Sequence, residues 1–145
     1  MHVCLSHWRR RKISLAKQQE AAKGQACLQV PEGDDPSYPL FIGTQLVGNC
    51  TNGKFVNGAR YLVKDILAGA KVLLEDTCKG DTMETTLELI SKNCILAWAL
   101  TYAKVQGISH SGTICLHDFS SRHFKKCHLY VGASRVCHGS NLYVQ

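Results

Sequence analysis

The pattern of apolar and polar positions at the start of the chain predicts a strand followed directly by a helix. Val3-Cys4-Leu5 forms a short apolar run. Ser6 is well suited to cap a helix that continues to about Lys23, and Gly24 stands where a helix commonly ends. A strand followed at once by a helix is typical of an α/β layer.

The middle of the chain changes character after a polar segment. Residues 30–39 contain all three prolines and three acidic residues, which predicts a loop and a boundary between regions. Beyond it, short alternating segments separated by Asn/Gly or Lys-Gly-Asp turns predict a small β-barrel or meander. The predicted strands are 41–47, 60–66, 71–75 and 85–89.

The last third returns to longer apolar runs. Its predicted elements, in order, are a continuous strand at 95–100, a helical turn at 102–106, a strand at 113–116, a short helix at 129–134 and an edge strand at 141–144. An α/β layer that is interrupted by a β insertion and then resumes is the simplest account of the whole pattern.

Composition and charge narrow the class of protein. The chain has 145 residues, 45% of them hydrophobic and 19% charged, which is typical of a globular domain or of an incomplete domain with an insertion. The net charge of +6, with a basic run at residues 9–12, favours an anionic partner, although a solvated helix face also accounts for such a run. No apolar run approaches the roughly 20 residues of a membrane span, and no signal-peptide core is present. We therefore expect a soluble, intracellular protein with no membrane partner.

The eight cysteines do not predict a disulfide framework or a metal site. They occur singly, without a C-x-x-C pair, and several lie in apolar segments that resemble strands. Within the Cys/His-rich end of the chain, Cys127 and His128 are adjacent and would point in different directions, so we predict no metal. No local signature of nucleophilic Cys/His catalysis is present. The members of this Cys/His-rich group are Cys115, His117, His123, Cys127, His128, Cys137 and His138.

Two segments imitate nucleotide-binding motifs. Residues 48–54 match the P-loop pattern G-x-x-x-x-G-K, but Phe55 stands where a P-loop has the Ser or Thr that holds magnesium. The residues that follow predict a hairpin, whereas a P-loop is followed by a helix. Residues 73–76 end in an acidic pair, which a hairpin end explains better than a magnesium site. Because it lacks both the Walker A and the Walker B element, this chain by itself should not hydrolyse a nucleoside triphosphate.

Two other segments carry candidate chemistry for binding phosphate. Thr101, at a strand end, is followed by Lys104-x-Gln106-Gly107, so a hydroxyl, backbone amides, a positive charge and an amide can face one phosphate. Further on, Arg135 follows an aromatic-aliphatic run, and its planar guanidinium suits phosphate oxygens. An ordinary polar turn and a surface arginine are the alternatives.

Taken as a pair, these segments resemble motifs V and VI of superfamily-one DNA helicases, most closely the Pif/RecD-like branch. Residues 42–49 and 55–63 also resemble the opening of the SH3-like barrel inserted in that branch, and Leu5-Ser6-His7 with the basic helix resembles the unit before the barrel. The resemblance covers nearly the whole chain. The chain departs from the family pattern at Ala103 and Val105, where the family usually has His and Ser.

The resemblance implies an α/β fold with a partial RecA-like domain, of the P-loop NTPase type, interrupted by a small SH3-like β-barrel insertion. Residues 1–36 would be the first strand-helix part of the second RecA-like domain plus a linker. Residues 37–92 would form the insertion, and residues 93–145 the remainder with motifs V and VI.

The implied function is that of the C-terminal portion of an ATP-dependent 5′–3′ DNA helicase of replication or repair. Its partners would be single-stranded DNA and an N-terminal RecA-like domain missing from this chain, with ATP and Mg2+ held only in the complete enzyme. The DNA contacts would be Thr101, Lys104 and Asn57; Gln106, Gly107 and Arg135 would face the nucleotide, with Arg135 as the arginine finger. The alternatives are a non-catalytic nucleic-acid-binding module and a decayed viral or mobile-element helicase fragment. The nucleus or a viral replication site would be the location.

Overall fold

The computed structural model describes all 145 residues. The chain divides into two compact units, which we call the terminal unit (Met1–Ile13 with Trp98–Gln145) and the central unit (Ser14–Ala97). No helix is both long enough and apolar enough to cross a membrane. In chain order the helices and strands are β1 (His2–Cys4), α1 (His7–Ala21), β2 (Leu28–Val30), β3 (Tyr38–Leu40), β4 (Gln45–Gly48), β5 (Arg60–Leu67), β6 (Lys71–Asp76), β7 (Thr82–Thr86), α2 (Leu87–Asn93), β8 (Cys94–Leu96), β9 (Ala99–Thr101), β10 (Ile114–Leu116), α3 (Lys126–Ala133) and β11 (Leu142–Val144).

The terminal unit contains a four-stranded parallel sheet in the order β11-β10-β1-β9. Strands β1, β9 and β10 are apolar and buried, as is usual for parallel sheets covered on their faces: Val3, Leu100 and Leu116 have almost no exposed surface. β11 lies at one edge of the sheet, which confirms the predicted edge strand.

Helix α1 begins in the terminal unit, and helix α3 lies entirely within it. The Ser6 hydroxyl accepts a hydrogen bond from the Arg9 amide at 3.2 Å, which confirms Ser6 as the cap of α1. α3 packs on β10 through Gly132, where an added Cβ would lie 2.5 Å from Cδ2 of Leu116. A larger residue at this position would require the Leu116 side chain to shift, so glycine allows the helix to approach the sheet closely.

The central unit contains a five-stranded antiparallel sheet, in the order β7-β6-β5-β4-β8, and a separate β2–β3 pair. The predicted strands at 60–66 and 71–75 are confirmed as β5 and β6, which pair with a register shift between Val63 and Asp65. Of the predicted loop at 30–39, only residues 31–37 connect β2 to β3, because Val30 ends β2 and Tyr38 begins β3. Asp35 in this connection is buried, and its Oδ2 accepts a hydrogen bond from the Leu96 amide at 2.8 Å. The largest fully buried side chains of this core are Tyr38, Leu40, Leu46, Phe55, Leu74, Ile90 and Leu96.

The prediction of one continuous strand at 95–100 is wrong. β8 pairs with β4 in the antiparallel sheet, whereas β9 pairs with β1 in the parallel sheet. The chain changes sheet between Ala97 and Trp98. The Ala97 amide donates to the carbonyl of Gln45 at 3.0 Å, in β4, whereas the Trp98 carbonyl accepts from the His2 amide at 2.8 Å, in β1. Because β8 and β9 are both buried and apolar, the sequence of residues 95–100 does not indicate where the chain passes from one sheet to the other.

Two other local predictions also fail. The predicted strand at 85–89 contains the end of β7 and the start of α2, because the Thr86 hydroxyl caps that helix by accepting from the Leu89 amide at 3.4 Å. The predicted strand at 41–47 is interrupted by a turn at Gly43, where φ is +98°, and only its second half is strand, as part of β4. Residues 102–106 form hydrogen-bonded turns without a regular helix, and the Val105 amide bonds the Thr101 carbonyl in the i→i+4 pattern, which agrees with the predicted helical turn.

Candidate functional site

A pocket of about 320 Å3 opens at the carboxyl ends of β1 and β9 in the terminal unit. Cys4 and Thr101 are the last residues of these two parallel strands and lie side by side in the register. Ligands of open α/β sheets bind at this edge, where the strands end and the loops begin. The residues that line the pocket include Leu5, His7, Thr101, Gln106, Cys127 and His128.

The turn after β9 presents polar groups at this pocket. The carbonyl of Thr101 accepts hydrogen bonds from the amides of Lys104 at 2.9 Å and Val105 at 3.1 Å, and the Thr101 hydroxyl also accepts from the Lys104 amide at 3.3 Å. Val105 is completely buried and anchors the turn, whereas Gln106 and Gly107 are exposed. Gly107 has a φ of +78°, a conformation that glycine adopts without strain. A hydroxyl and an amide side chain therefore meet at one pocket, on a fixed turn.

The rings of Tyr102 and His128 line the pocket, and Phe124 packs against both of them. Tyr102 is buried, and its hydroxyl donates to the carbonyl of His117 at 3.1 Å. Burial raises the pKa of Tyr102 above its usual value, so the hydroxyl stays protonated. Its ring lies edge-on to Phe124, with 5.6 Å between centroids, and 5.3 Å from the His128 ring. Nδ1 of His128 accepts from the Lys125 amide at 2.9 Å, which orients this ring at the start of α3.

Arg135 lies two residues beyond the end of α3 and does not line the pocket. Its Nε and Nη2 atoms donate to the hydroxyl of Ser134 at 3.2 and 3.0 Å, and its carbonyl accepts from the His110 amide at 2.9 Å. The structure thus brings Thr101 and Gln106 together at the pocket and holds the half-buried Arg135 on a neighbouring segment of the same unit.

Asn57 belongs to the central unit, on the connection between β4 and β5. It is exposed, and its amide donates to the hydroxyl of Thr51 at 3.1 Å. In the same connection, Asn52 and Phe55 exchange backbone hydrogen bonds at 3.0 and 3.1 Å, and the Phe55 side chain is buried in the core. The segment that imitates a P-loop is therefore a tight turn, as predicted, and no helix follows it.

The acidic pair at 75–76 also has the structural role that we predicted. Asp76 ends β6, and its Oδ1 accepts hydrogen bonds from the amides of Cys78 at 2.9 Å and Lys79 at 3.3 Å. This carboxylate orders the turn between β6 and β7.

Sequence reasoning missed Asp118, which shapes the loop beside the pocket. Its Oδ2 accepts from the Leu5 amide at 2.8 Å, and its Oδ1 lies 2.7 Å from Nη1 of Arg9. The only available signal was an acidic residue two positions after a buried strand, at the edge where ligands bind. Next to it, burial, reinforced by the charge of Asp118, raises the pKa of the Cys4 thiol to about 12.

Comparison of the whole chain with solved structures places it among Pif1 helicases in fold. A structure of two coordinating Pif1 helicases at forked double-stranded DNA matches with a TM-score of 0.70 and 20% identity, over 99% of this chain and 38% of that chain. Bacteroides Pif1 bound to single-stranded DNA matches with a TM-score of 0.69 and 20% identity, over 99% and 40%. The Candida albicans Pif1 helicase matches with a TM-score of 0.64 and 14% identity, over 99% and 44%.

The likeness is one of fold, at a sequence identity too low to establish more. No protein-family model matches the chain. No curated protein is a significant match to its sequence. The chain spans about two fifths of the length of the helicases that it matches, so it has the fold of part of a Pif1 helicase.

Proposed function

We propose that this chain is the C-terminal portion of an ATP-dependent 5′–3′ DNA helicase of the Pif1-like branch of superfamily one. The observation that carries the proposal is the pocket at the carboxyl ends of β1 and β9, where Thr101 and Gln106 of the motif V segment meet. The fold likeness over 99% of the chain supports it independently of these residues.

In this proposal, residues 1–36 and 93–145 are parts of a second RecA-like domain, and residues 37–92 are an SH3-like insertion. The parallel sheet β11-β10-β1-β9 supports the first assignment, and strands β4 to β7 of the antiparallel sheet support the second. The fifth strand of that sheet, β8 (Cys94–Leu96), lies just beyond residue 92. A first RecA-like domain would be supplied by protein outside this chain.

Single-stranded DNA is the proposed nucleic-acid partner. Thr101 and Lys104 lie on the turn after β9, and Asn57 is exposed on the connection before β5. Such groups contact the sugar-phosphate backbone, so binding should depend on charge more than on base sequence. The net charge of +6 agrees with an anionic partner.

ATP is the proposed cofactor, held between this chain and the first RecA-like domain. The exposed Gln106 amide, the Gly107 turn and the Arg135 guanidinium supply donors that suit phosphate oxygens. The pocket lining contains no carboxylate, so its residues do not fit Mg2+, which we assign to the first domain. Arg135 would act as the arginine finger by leaving the Ser134 hydroxyl and stabilising negative charge on the transferred phosphoryl group.

The nucleic-acid part of the proposal is tested by the binding of this chain to a fluorescent oligothymidylate over a series of salt concentrations. Lys104→Ala should weaken binding and lower the slope of log affinity against log salt by about one. Lys17→Ala is the matched control, because it removes one exposed charge that pairs only with Glu20. Equal effects of the two substitutions would show that net charge, and not the turn after β9, is responsible.

The nucleotide part is tested in an enzyme that joins this chain to its first RecA-like domain. Arg135→Ala should lower DNA-stimulated turnover by about 10³-fold while DNA affinity stays near normal, since the guanidinium acts mainly in the transition state. Arg135→Lys should rescue poorly, because an ammonium lacks the planar fork. The control is Arg122→Ala, an exposed arginine whose Nε bonds His123. Near-normal turnover in Arg135→Ala would remove this residue from the site.

The reading frame upstream of Met1 and the binding of DNA separate the helicase proposal from its alternatives. Under the helicase proposal that frame should encode a P-loop and an Asp-Glu pair, and the chain should bind single-stranded DNA. The isolated chain should hydrolyse no ATP with or without DNA under all three. DNA binding without such a frame would favour a non-catalytic nucleic-acid-binding module. A broken frame and no DNA binding would favour a decayed viral or mobile-element fragment.

A further inference from the structure

Three side chains that the proposed function does not use lie together on the parallel sheet of the terminal unit. His2 in β1 is paired with Cys115 in β10, and His117 follows Cys115 by two residues. Because successive side chains of a strand point to opposite faces, Cys115 and His117 share a face. Leu116, between them, packs against Gly132 of α3 on the other face.

The potential ligand atoms of this trio are close enough to meet at one ion. One ring nitrogen from each histidine and the sulfur of Cys115 all lie within 4.8 Å of one another. Nδ1 of His2 is 2.9 Å from Nε2 of His117, and their ring centroids are 5.1 Å apart. Cys115 and His117 are buried, whereas His2 is half-buried, so solvent can reach one side of the cluster.

We propose that His2, Cys115 and His117 bind one Zn2+ ion with two imidazole nitrogens and one thiolate, leaving a fourth position for water. In tetrahedral zinc sites the Zn–N bonds are about 2.0–2.1 Å and the Zn–S bond about 2.3 Å, so ligand atoms lie roughly 3.3–3.6 Å apart. The two histidine nitrogens must separate by a few tenths of an ångström. The sulfur of Cys115 must approach by at most about 1.2 Å, which side-chain rotation supplies.

The donor set decides the class of metal. Thiolate and imidazole suit Zn2+ and the neighbouring transition metals, whereas Mg2+ and Ca2+ require oxygen ligands that this cluster does not offer. Binding breaks the His2–His117 hydrogen bond, and the ring nitrogen that donates in it passes its proton through solvent to the other nitrogen of the same ring. The thiol proton of Cys115 is displaced to the buffer, so one net proton is released when the thiolate–zinc bond forms.

Such a site would tie together two adjacent strands that are far apart in the chain. β1 and β10 are separated by more than 100 residues, and the ion would link them through side chains in addition to the backbone pairing of the sheet. Binding to the folded chain alone would stabilise the terminal unit, because a ligand that binds only the native state shifts the folding equilibrium toward it.

The test uses the whole chain in a background without exposed thiols, so that adventitious zinc binding is suppressed. The substituted residues, each changed to serine, are Cys27, Cys78, Cys127 and Cys137. Titration of this metal-free background with Zn2+ should show one equivalent bound. Co2+ in place of Zn2+ should give the thiolate charge-transfer band and the intense visible bands of a tetrahedral site.

Variants of the ligands decide between a built site and adventitious binding. Cys115→Ser, which is nearly isosteric, should remove the charge-transfer band, and His117→Asn should lower Zn2+ affinity at least about tenfold. His138→Asn is the matched control because that histidine is exposed and lies outside the cluster. Circular dichroism confirms that each variant is folded. Absence of saturable binding in the background, or affinity that Cys115→Ser leaves unchanged, would overturn the proposal.

Discussion

Replacing Asp118 should destabilise the terminal unit by an amount that depends on which of its two contacts is lost. The carboxylate accepts from the Leu5 amide at 2.8 Å and pairs with Arg9 at 2.7 Å, and only 13% of the side chain is exposed. Asp118 also has a φ of +69°, a conformation that Asp and Asn adopt more readily than Ala.

The two contacts and the backbone conformation set the expected magnitudes. A hydrogen bond to a charged acceptor contributes about 1.5–3 kcal/mol, the part-exposed ion pair with Arg9 no more than about 1, and the left-handed conformation costs Ala about 1 relative to Asp. Asp118→Ala should therefore cost about 2.5–5 kcal/mol. Asp118→Asn keeps a neutral acceptor for Leu5 and tolerates the positive φ, so its cost should be about 1–2 kcal/mol.

Urea unfolding followed by tryptophan fluorescence measures this difference. The two tryptophans of the chain, Trp8 and Trp98, both belong to the terminal unit, so their fluorescence reports on the unit that contains Asp118. The control is Arg9→Gln, which removes the ion pair and leaves the Leu5 hydrogen bond. Equal costs for Asp118→Ala and Asp118→Asn would refute the assignment of most of the energy to the Leu5 amide.

Further substitutions and solution conditions test other parts of the structure. Gly48→Ala should destabilise the central unit by several kcal/mol, since its Cβ would lie 2.1 Å from the carbonyl oxygen of Val56, whereas Gly139→Ala, with no atom within 4 Å, should be nearly neutral in thermal unfolding. Burial raises the pKa of the Cys4 thiol from 9.0 to about 12, so the contribution of the protonated thiol to stability is fully present below pH 9 and is lost as the pH rises to 12. In urea unfolding from pH 8 to 12, the free energy of unfolding should therefore decline less steeply with pH in Cys4→Ala than in the parent. Affinity for single-stranded DNA should fall steeply between low and moderate salt, and a flat titration would contradict a surface of phosphate contacts.

The elements that followed from sequence are those in which a local signal is unambiguous. The alternation of apolar and polar residues predicted β5 and β6, and the position of Ser6 predicted the cap of α1, because alternation and capping depend on neighbouring residues alone. Residues 95–100 and 85–89 were misread. In the first, two buried strands of different sheets have the same apolar composition, and in the second Thr86 is compatible with both a strand end and a helix cap.

Some residues of the candidate site could likewise be predicted from the sequence, and others could not. Thr101 at a strand end and Gln106 on the following turn could be predicted, since a buried run followed by polar residues marks the end of a strand. Asp118 beside Leu5, and His2 beside Cys115, could not, because each pair is more than 100 residues apart in the chain. The roles predicted for the site residues remain predictions; these residues are Asn57, Thr101, Lys104, Gln106, Gly107 and Arg135.

The sequence by itself determined the strand-helix opening, the β-rich middle, the absence of a P-loop helix and the position of the phosphate-binding candidates. These depend on short-range steric preferences and on the periodicity of apolar residues, which each segment carries within itself. Only the tertiary structure decided that β9 and β10 flank β1 and that the pocket opens at the ends of β1 and β9. Strand pairing across long stretches of chain is selected by the burial of the whole sheet, and that energy is not encoded in any one segment.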